Sequence, residues 1–262
     1  MRILISLIFL LITTSSFAVT FDGNFIQGSF ILGKTEPGSE VFIDRKKVKV
    51  TLEGYFAFGL GRDRKNDVVI TINEKKIIKK VFKREYKIQR IDELEEKKVT
   101  PPEEVYERIK RENKWIGEAR AINSDLTFFK NKFAIPVDNA IISGVYGSQR
   151  ILNGKPKWPH YGLDFAADEG TKIKTMLDGV VTLAESDLFY TGGTLIFDHG
   201  HGISTLYMHM EKILVKKGQK IKQGDIIGTV GSTGRATGAH LDVRLNWFQT
   251  RLDPATVLDI KN

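Results

Sequence analysis

The chain of 262 residues contains no cysteine, carries a formal charge of +8, and is 41% hydrophobic and 27% charged. That apolar content suits packed domains rather than a disordered chain, and the lack of thiols excludes a disulfide scaffold, a cysteine nucleophile, a thiolate metal site and a lipid-attachment cysteine. The positive excess is no sign of nucleic-acid binding: much of it lies in INEKKIIKKVFKREYKIQR, residues 72–90, which holds eight Lys or Arg against two Glu but no recognisable reader motif.

The chain begins MRILISLIFLLITTSSFAVT, in which Arg2 precedes an apolar run from Ile3 to Ile12 and small residues follow around Ser16 and Ala18. That order predicts a secretory signal peptide over residues 1–18, cleaved after Ala18, because the apolar core is too short to span a bilayer. No other segment is long and apolar enough to cross a membrane, so the mature chain is expected to be exported, in the periplasm, with no membrane span. The basic 72–90 stretch then reads as a solvated face, with attraction to anionic envelope polymers as its functional alternative.

From residue 19 to 84, short alternating runs (SFILGK, EVFIDRKKVKV, YFAFGLG, DVVITIN) are broken by turn signals such as Glu36-Pro37-Gly38-Ser39 and Glu53-Gly54. This spacing predicts a small immunoglobulin-like β-sandwich without cysteines. It holds no histidine, so binding or positioning is its expected role. Residues 85–132 read as a linker with a helix at about 101–122. Thr100 is placed to cap it, Pro101 suits the first helical position and Glu103 follows. Val105, Ile109, Ile116 and Ala119 would share one apolar face of that helix.

The remainder, 133–262, is strand and turn, with glycines at 179, 192, 193, 218, 224, 228 and 231 between short apolar runs. It predicts an open β-sandwich or barrel. All five histidines, His160, His199, His201, His209 and His240, fall here. In HYGLD, His160 and Asp164 stand four apart across a glycine. In HLD, His240 and Asp242 are at i and i+2, so both side chains leave one face of a strand. Imidazole and carboxylate are the non-sulfur ligands of zinc, and without thiolates an open catalytic site suits them better than a closed structural one.

From about Ser143 to Pro254 the chain resembles the lysostaphin-type, LytM-like M23 zinc endopeptidases of peptidoglycan. The resemblance rests on SGVYGSQR, HYGLDFAADEGTKI, GGTLIFDHGHGISTLYMHM, VKKGQKIKQGDIIGTVGSTGRATGAHLD and RLDPATVL. It implies a mostly β chain: a C-terminal LytM-like open sandwich preceded by the accessory β domain and the connecting helix. It also implies Zn2+ held by His160 and Asp164, with His209 of the Y-x-H motif and His240, the first histidine of H-x-H, as catalytic groups. The third ligand in the family is the second histidine of H-x-H, and here that position is Asp242. A carboxylate is a competent zinc ligand, and two anionic ligands would leave the zinc-bound water less acidic. His199 and His201 are then structural neighbours of the sheet.

The implied function is hydrolysis of peptide bonds in peptidoglycan stems or cross-links, with peptidoglycan and other cell-wall enzymes as partners. The alternative is a degenerate M23-like module that binds cell wall and activates an amidase. A lipoyl or biotinyl carrier, suggested by VKKGQKIKQGDIIGTVGS, is the rival from another class. It lacks both the displayed lysine and a reason to gather histidines.

Overall fold

The computed structural model describes residues 18–93 and 96–260. Apart from Ala18, the expected signal peptide lies outside the described residues.

Alternation decides the N-terminal part. Val68, Ile70 and Ile72 are buried while Val69 and Thr71 between them are half-buried, the period-2 pattern of a strand with one covered face. Four antiparallel strands, in the spatial order Lys46–Val48, Val41–Ile43, Val68–Ile72 and Lys75–Lys79, form one sheet. Three more, Thr20–Asp22, Phe30–Lys34 and Tyr55–Gly59, form a second. Ile31, Phe56 and Phe58 from the smaller sheet meet Val41, Ile43 and Ile70 from the larger in a shared core, which makes the β-sandwich that the alternation predicts.

The C-terminal part is organised by a ten-stranded sheet among the described residues. Its central hairpin, Gly192–Gly200 with Ile203–Ile213, is buried along almost its whole length, so both faces must be covered. Leu195, Phe197 and Tyr207 point into the main core with Val243 and Leu245. Ile196, Leu206 and Met208 point the other way and lie beneath Trp115, Ile116 and Ala119 of the connecting helix.

That helix begins later than the sequence suggests. Its regular turns run Tyr106–Arg120 after a 3-10 turn at Glu103–Val105, and neither start has a side-chain cap. Thr100 instead receives Lys155 Nζ at 3.0 Å. The cause is the Pro101-Pro102 pair: a residue before proline is pushed out of the helical region, and Pro102 itself is extended at φ −68°, ψ 156°. The helix is fixed to the sheet through buried Glu112, whose carboxylate accepts from Arg108 Nε at 2.6 Å and from the Phe189 amide at 2.8 Å. The segment before it contributes a strand that the charge pattern concealed. Ile88–Ile91 pairs in parallel with Gln149–Leu152, which in turn pairs with Lys155–Pro156.

The two β parts meet along a close seam. The Asp253 amide donates to Gly28 O at 2.8 Å, and Arg84 Nη1 reaches the buried Asp253 carboxylate at 2.5 Å. Leu252 packs on Gly59, where an added Cβ would lie 2.5 Å from its Cδ2. Tyr146 packs likewise on Gly28, with 2.7 Å to the same imagined atom. Truncating Arg84 leaves a buried carboxylate without its cation. Arg84→Ala is therefore expected to cost about 2–4 kcal/mol in urea unfolding, with circular dichroism as the probe. A loss below about 0.5 kcal/mol would mean that solvent reaches Asp253 and the seam does not depend on this pair.

Candidate metal centre

Strands Leu163–Ala166 and His240–Trp247 run antiparallel, in a register that sets Asp164 directly opposite Asp242 and Ala166 opposite His240. Alternation sends Phe165, Leu241 and Val243 into the core, so Asp164 and Asp242 leave the opposite face side by side. Both carboxylates are nonetheless buried, at 6% and 1% exposure. Two like charges facing each other across neighbouring strands, away from water, repel strongly, and a cation between them reverses the sign.

His160 completes the group. Its Nε2 lies 3.0 Å from Asp164 Oδ1 and 3.3 Å from Asp242 Oδ2, and the three ligand atoms all fall within 4.8 Å of one another. On the far side of the ring, Nδ1 is 3.2 Å from Val145 O. A carbonyl only accepts, so Nδ1 carries the proton and Nε2 turns a lone pair toward the two carboxylates. Asp164 Oδ1 is buried without a hydrogen bond. One nitrogen and two carboxylate oxygens converge here, and this donor set is one that zinc accepts in place of a shared proton.

Backbone without side chains makes the room. A Cβ at Gly162 would stand 1.9 Å from Asp242 Oδ1, and one at Gly144 2.1 Å from Asp164 Oδ2. Arginines supply countercharge from the outer side. Arg244, two residues beyond Asp242 on the same strand face, donates from Nη2 to Oδ2 at 2.9 Å and from Nε to Oδ1 at 3.3 Å. Arg150 Nη2 lies 3.6 Å from Asp164 Oδ2. Burial alone would raise the Asp242 pKa, but Arg244 and His160 hold it well below the usual carboxylate range. Burial opposes a charge on His160, yet the two carboxylates outweigh it and push its pKa up.

His209 reaches this face by an irregularity. The register of its strand shifts between Met210 and Lys212, and His209 itself has φ +63°, a left-handed conformation rare outside glycine. Its Nδ1 donates to Thr233 O at 2.8 Å, leaving Nε2 unprotonated. Burial lowers its pKa to about 4, so the ring is neutral at physiological pH. His240 Nδ1 donates to Gly238 O at 2.8 Å, and its ring centroid is 4.8 Å from that of His209. His209, His240 and Asp164 line one cavity of about 280 Å3, walled also by Gln89 and Ile91 of the linker strand.

The structure thus brings together His160, Asp164 and Asp242, with His209 and His240 beside them, and leaves His199 and His201 elsewhere. Both ring nitrogens of His199 are engaged, by Asp178 O at 2.7 Å and Thr205 Oγ1 at 2.8 Å. His201 packs against Phe129, with the ring centroids 4.7 Å apart and the planes tilted by 40°. Sequence reasoning missed the arginines. Arg244 was visible as the i+2 neighbour of Asp242, and Arg235 and Arg251 lie within ten residues of it but with no spacing that marks them as facing the site, whereas Arg150 comes from a strand distant in the chain.

Residues 158–254 match peptidase family M23. That span contains His160, Asp164, His209, His240 and Asp242, so the candidate metal centre lies within the part of the chain that is similar to M23 peptidases. Among curated relatives, the peptidoglycan DD-endopeptidase ShyA of Vibrio cholerae serotype O1 is 47% identical over 87 residues, 33% of this chain and 20% of that protein. The DD-endopeptidase ShyC of the same organism is 38% identical over 124 residues, 47% of this chain and 28% of that protein. The matches therefore span well under a third of these relatives. A Pseudomonas aeruginosa crystal structure assigned to peptidase M23 superposes with a TM-score of 0.69 at 28% identity, covering 89% of this chain and 95% of that one. Its likeness extends across the β-sandwich and linker as well as the M23 domain.

The glycine cradle has a measurable corollary. Gly162→Ala places a methyl group against the Asp242 carboxylate, and because the backbone at this position is not left-handed, the effect is steric alone. Overpacking of this kind is expected to cost about 1–3 kcal/mol in urea unfolding, with Gly117→Ala as control, a glycine outside the left-handed region whose added Cβ meets nothing within 4 Å.

Proposed function

We propose that this chain is an exported zinc-dependent endopeptidase that hydrolyses peptide bonds in peptidoglycan stems or cross-links. His160, Asp164 and Asp242 hold the metal, and His209 and His240 act on the reacting groups. The observation that carries this reading is the convergence of His160, Asp164 and Asp242 ligand atoms beside the imidazoles of His209 and His240. The M23 match, the names of the Vibrio relatives and the signal-like residues 1–18 support substrate and export.

Bound zinc supplies a Lewis acid for the scissile carbonyl and lowers the pKa of a water molecule. The chain does the rest. His209, kept neutral by burial and fixed by Thr233 O, offers Nε2 as a proton acceptor. His240, fixed by Gly238 O, offers a second nitrogen at the same cavity to hold the developing oxyanion or pass a proton to the leaving amine. Val145 O keeps the His160 tautomer that ligation requires.

One observation favours the second reading, a metal-free module that activates an amidase: Arg244 already holds Asp242 with two hydrogen bonds. Metal analysis of the mature protein, paired with muropeptide release, separates the two. Zinc near one per chain with new soluble muropeptides is the expected result. No zinc, no release and stimulation of a separate amidase would reverse it. His160→Ala should lose metal and activity together, whereas His209→Ala should keep metal and lower kcat by about 10²-fold or more. Equal loss of zinc in both variants would refute the role given to His209.

Metal must displace the proton from His160, whose pKa is raised above 6.5 by its carboxylate neighbours. At fixed total zinc, occupancy should therefore start to fall above pH 6.5 as the pH is lowered. Occupancy that held constant down to pH 5 would contradict His160 as a ligand.

A further inference from the structure

Next to the metal centre lies a larger cavity of about 710 Å3, bounded on one side by the connecting helix. Its lining includes Arg150, Lys157, Arg235, Arg244 and Arg251, and among the described residues it contains no aspartate or glutamate. It meets the smaller catalytic cavity at His209, Arg150, Leu152 and Arg235. Two of its cations face the metal-centre carboxylates, as described above. Arg251 makes no ion pair within 4 Å among the described residues: its guanidinium lies 5.4 Å from the Tyr161 ring and feels Asp242 only at longer range.

Arg120 of the connecting helix stands close by. It is buried at 7% exposure and donates from Nη2 to Gln249 Oε1, while its Nε and Nη1 have no hydrogen-bond partner. Gln249 lines the cavity and is itself tied to the helix through Gly117 O at 2.9 Å. Burial first, and then the neighbouring arginines, lower the pKa of Arg251 to about 9; burial and Arg244 lower that of Arg120 to about 10. Arg120, buried with two donors left over, and the half-buried Arg251 repel each other, an arrangement that is costly until an anion joins them. Guanidinium forks match a carboxylate in shape and charge.

We infer that this cavity is a carboxylate-binding subsite centred on Arg251, which holds an acidic peptide on one side of the bond presented to His209 and the metal centre. It deepens the proposed function and rests on it: stem peptides of peptidoglycan carry free carboxylates unless these are amidated. Tyr161, Tyr190 and the 83% exposed Trp158 line the same cavity and provide apolar surface for the peptide that bears the carboxylate. The subsite selects acidic stems over amidated ones.

The test is calorimetric binding of two probes to the mature full-length protein: an acidic stem tripeptide with free carboxylates, and the same peptide fully amidated. Inorganic phosphate serves as a third ligand. The acidic peptide should bind about tenfold or more tightly than the amidated one, and more weakly as sodium chloride is raised. Arg251→Gln should abolish that preference, with the thermal midpoint reporting whether the variant is folded. Lys157→Gln, at the half-buried edge of the cavity, should reduce it about two- to fivefold without threatening the fold.

Equal binding of the two peptides, or a preference that survives in folded Arg251→Gln, overturns the subsite. So does phosphate binding as tightly as the acidic peptide, since the site would then be a general anion site. Because the readout is binding, the two readings fail separately. Missing zinc and hydrolysis with an intact acidic preference would sink the peptidase reading alone, and active enzyme with no preference would sink the subsite alone.

Discussion

Two carboxylates facing each other across adjacent strands set the terms for the rest of this structure. Asp164 and Asp242 are brought into register by ordinary antiparallel pairing, on a sheet face that is otherwise closed off from water. Left alone, that pairing would open the sheet. His160 Nε2 on one side and Arg244 and Arg150 on the other keep the charges together, and glycines at 144 and 162 leave them space. The same concentration of negative charge that threatens the fold is what makes a cation welcome there. Arg244 also bears on the departure from the family's second histidine. An imidazole at position 242 would leave that guanidinium without its anion, so residues 242 and 244 are coupled and the aspartate is part of a local charge set.

The linker is less a connector than a wall. Its strand Ile88–Ile91 pairs into a separate three-stranded sheet beside the smaller cavity, placing Gln89 and Ile91 there, while its helix covers Ile196, Leu206 and Met208 and borders the larger cavity with Asn113 and Ile116. The central hairpin can be apolar on both faces only because this cover exists. Groove shape and sheet burial are thus set by one segment, held down by Glu112 and by Gln249.

Much of this was legible in the sequence because it is local. Alternation gave Val68–Ile72 its inward face, and the i, i+2 relation put Asp242 and His240 on one strand surface. The β-sandwich and the M23 domain follow from such patterns and from motifs that sit in order along the chain. What stayed hidden depends on partners far apart. Strand Ile88–Ile91 looked like a charged connection because only two of its four residues are apolar, and its ladder partner is some sixty residues on. The helix start was misjudged because the effect of Pro102 on Pro101 outweighs a well-placed threonine. The left-handed turn at His209, which aims the ring into the site, has no composition signal, since any L-residue there bears the same strain.

The seam at Gly28 and Gly59 bears on how such a chain evolves. Tyr146 and Leu252 occupy the space where any side chain at those glycines would begin, and the Asp253 amide spends its hydrogen bond on Gly28 O. Surfaces fitted this closely cannot be recombined as independent cassettes: a foreign sandwich bearing alanine at either position would collide with the C-terminal part before any affinity between them mattered. A side chain at either glycine therefore requires a compensating reduction at Tyr146 or Leu252 across the seam, so the two surfaces can change only together.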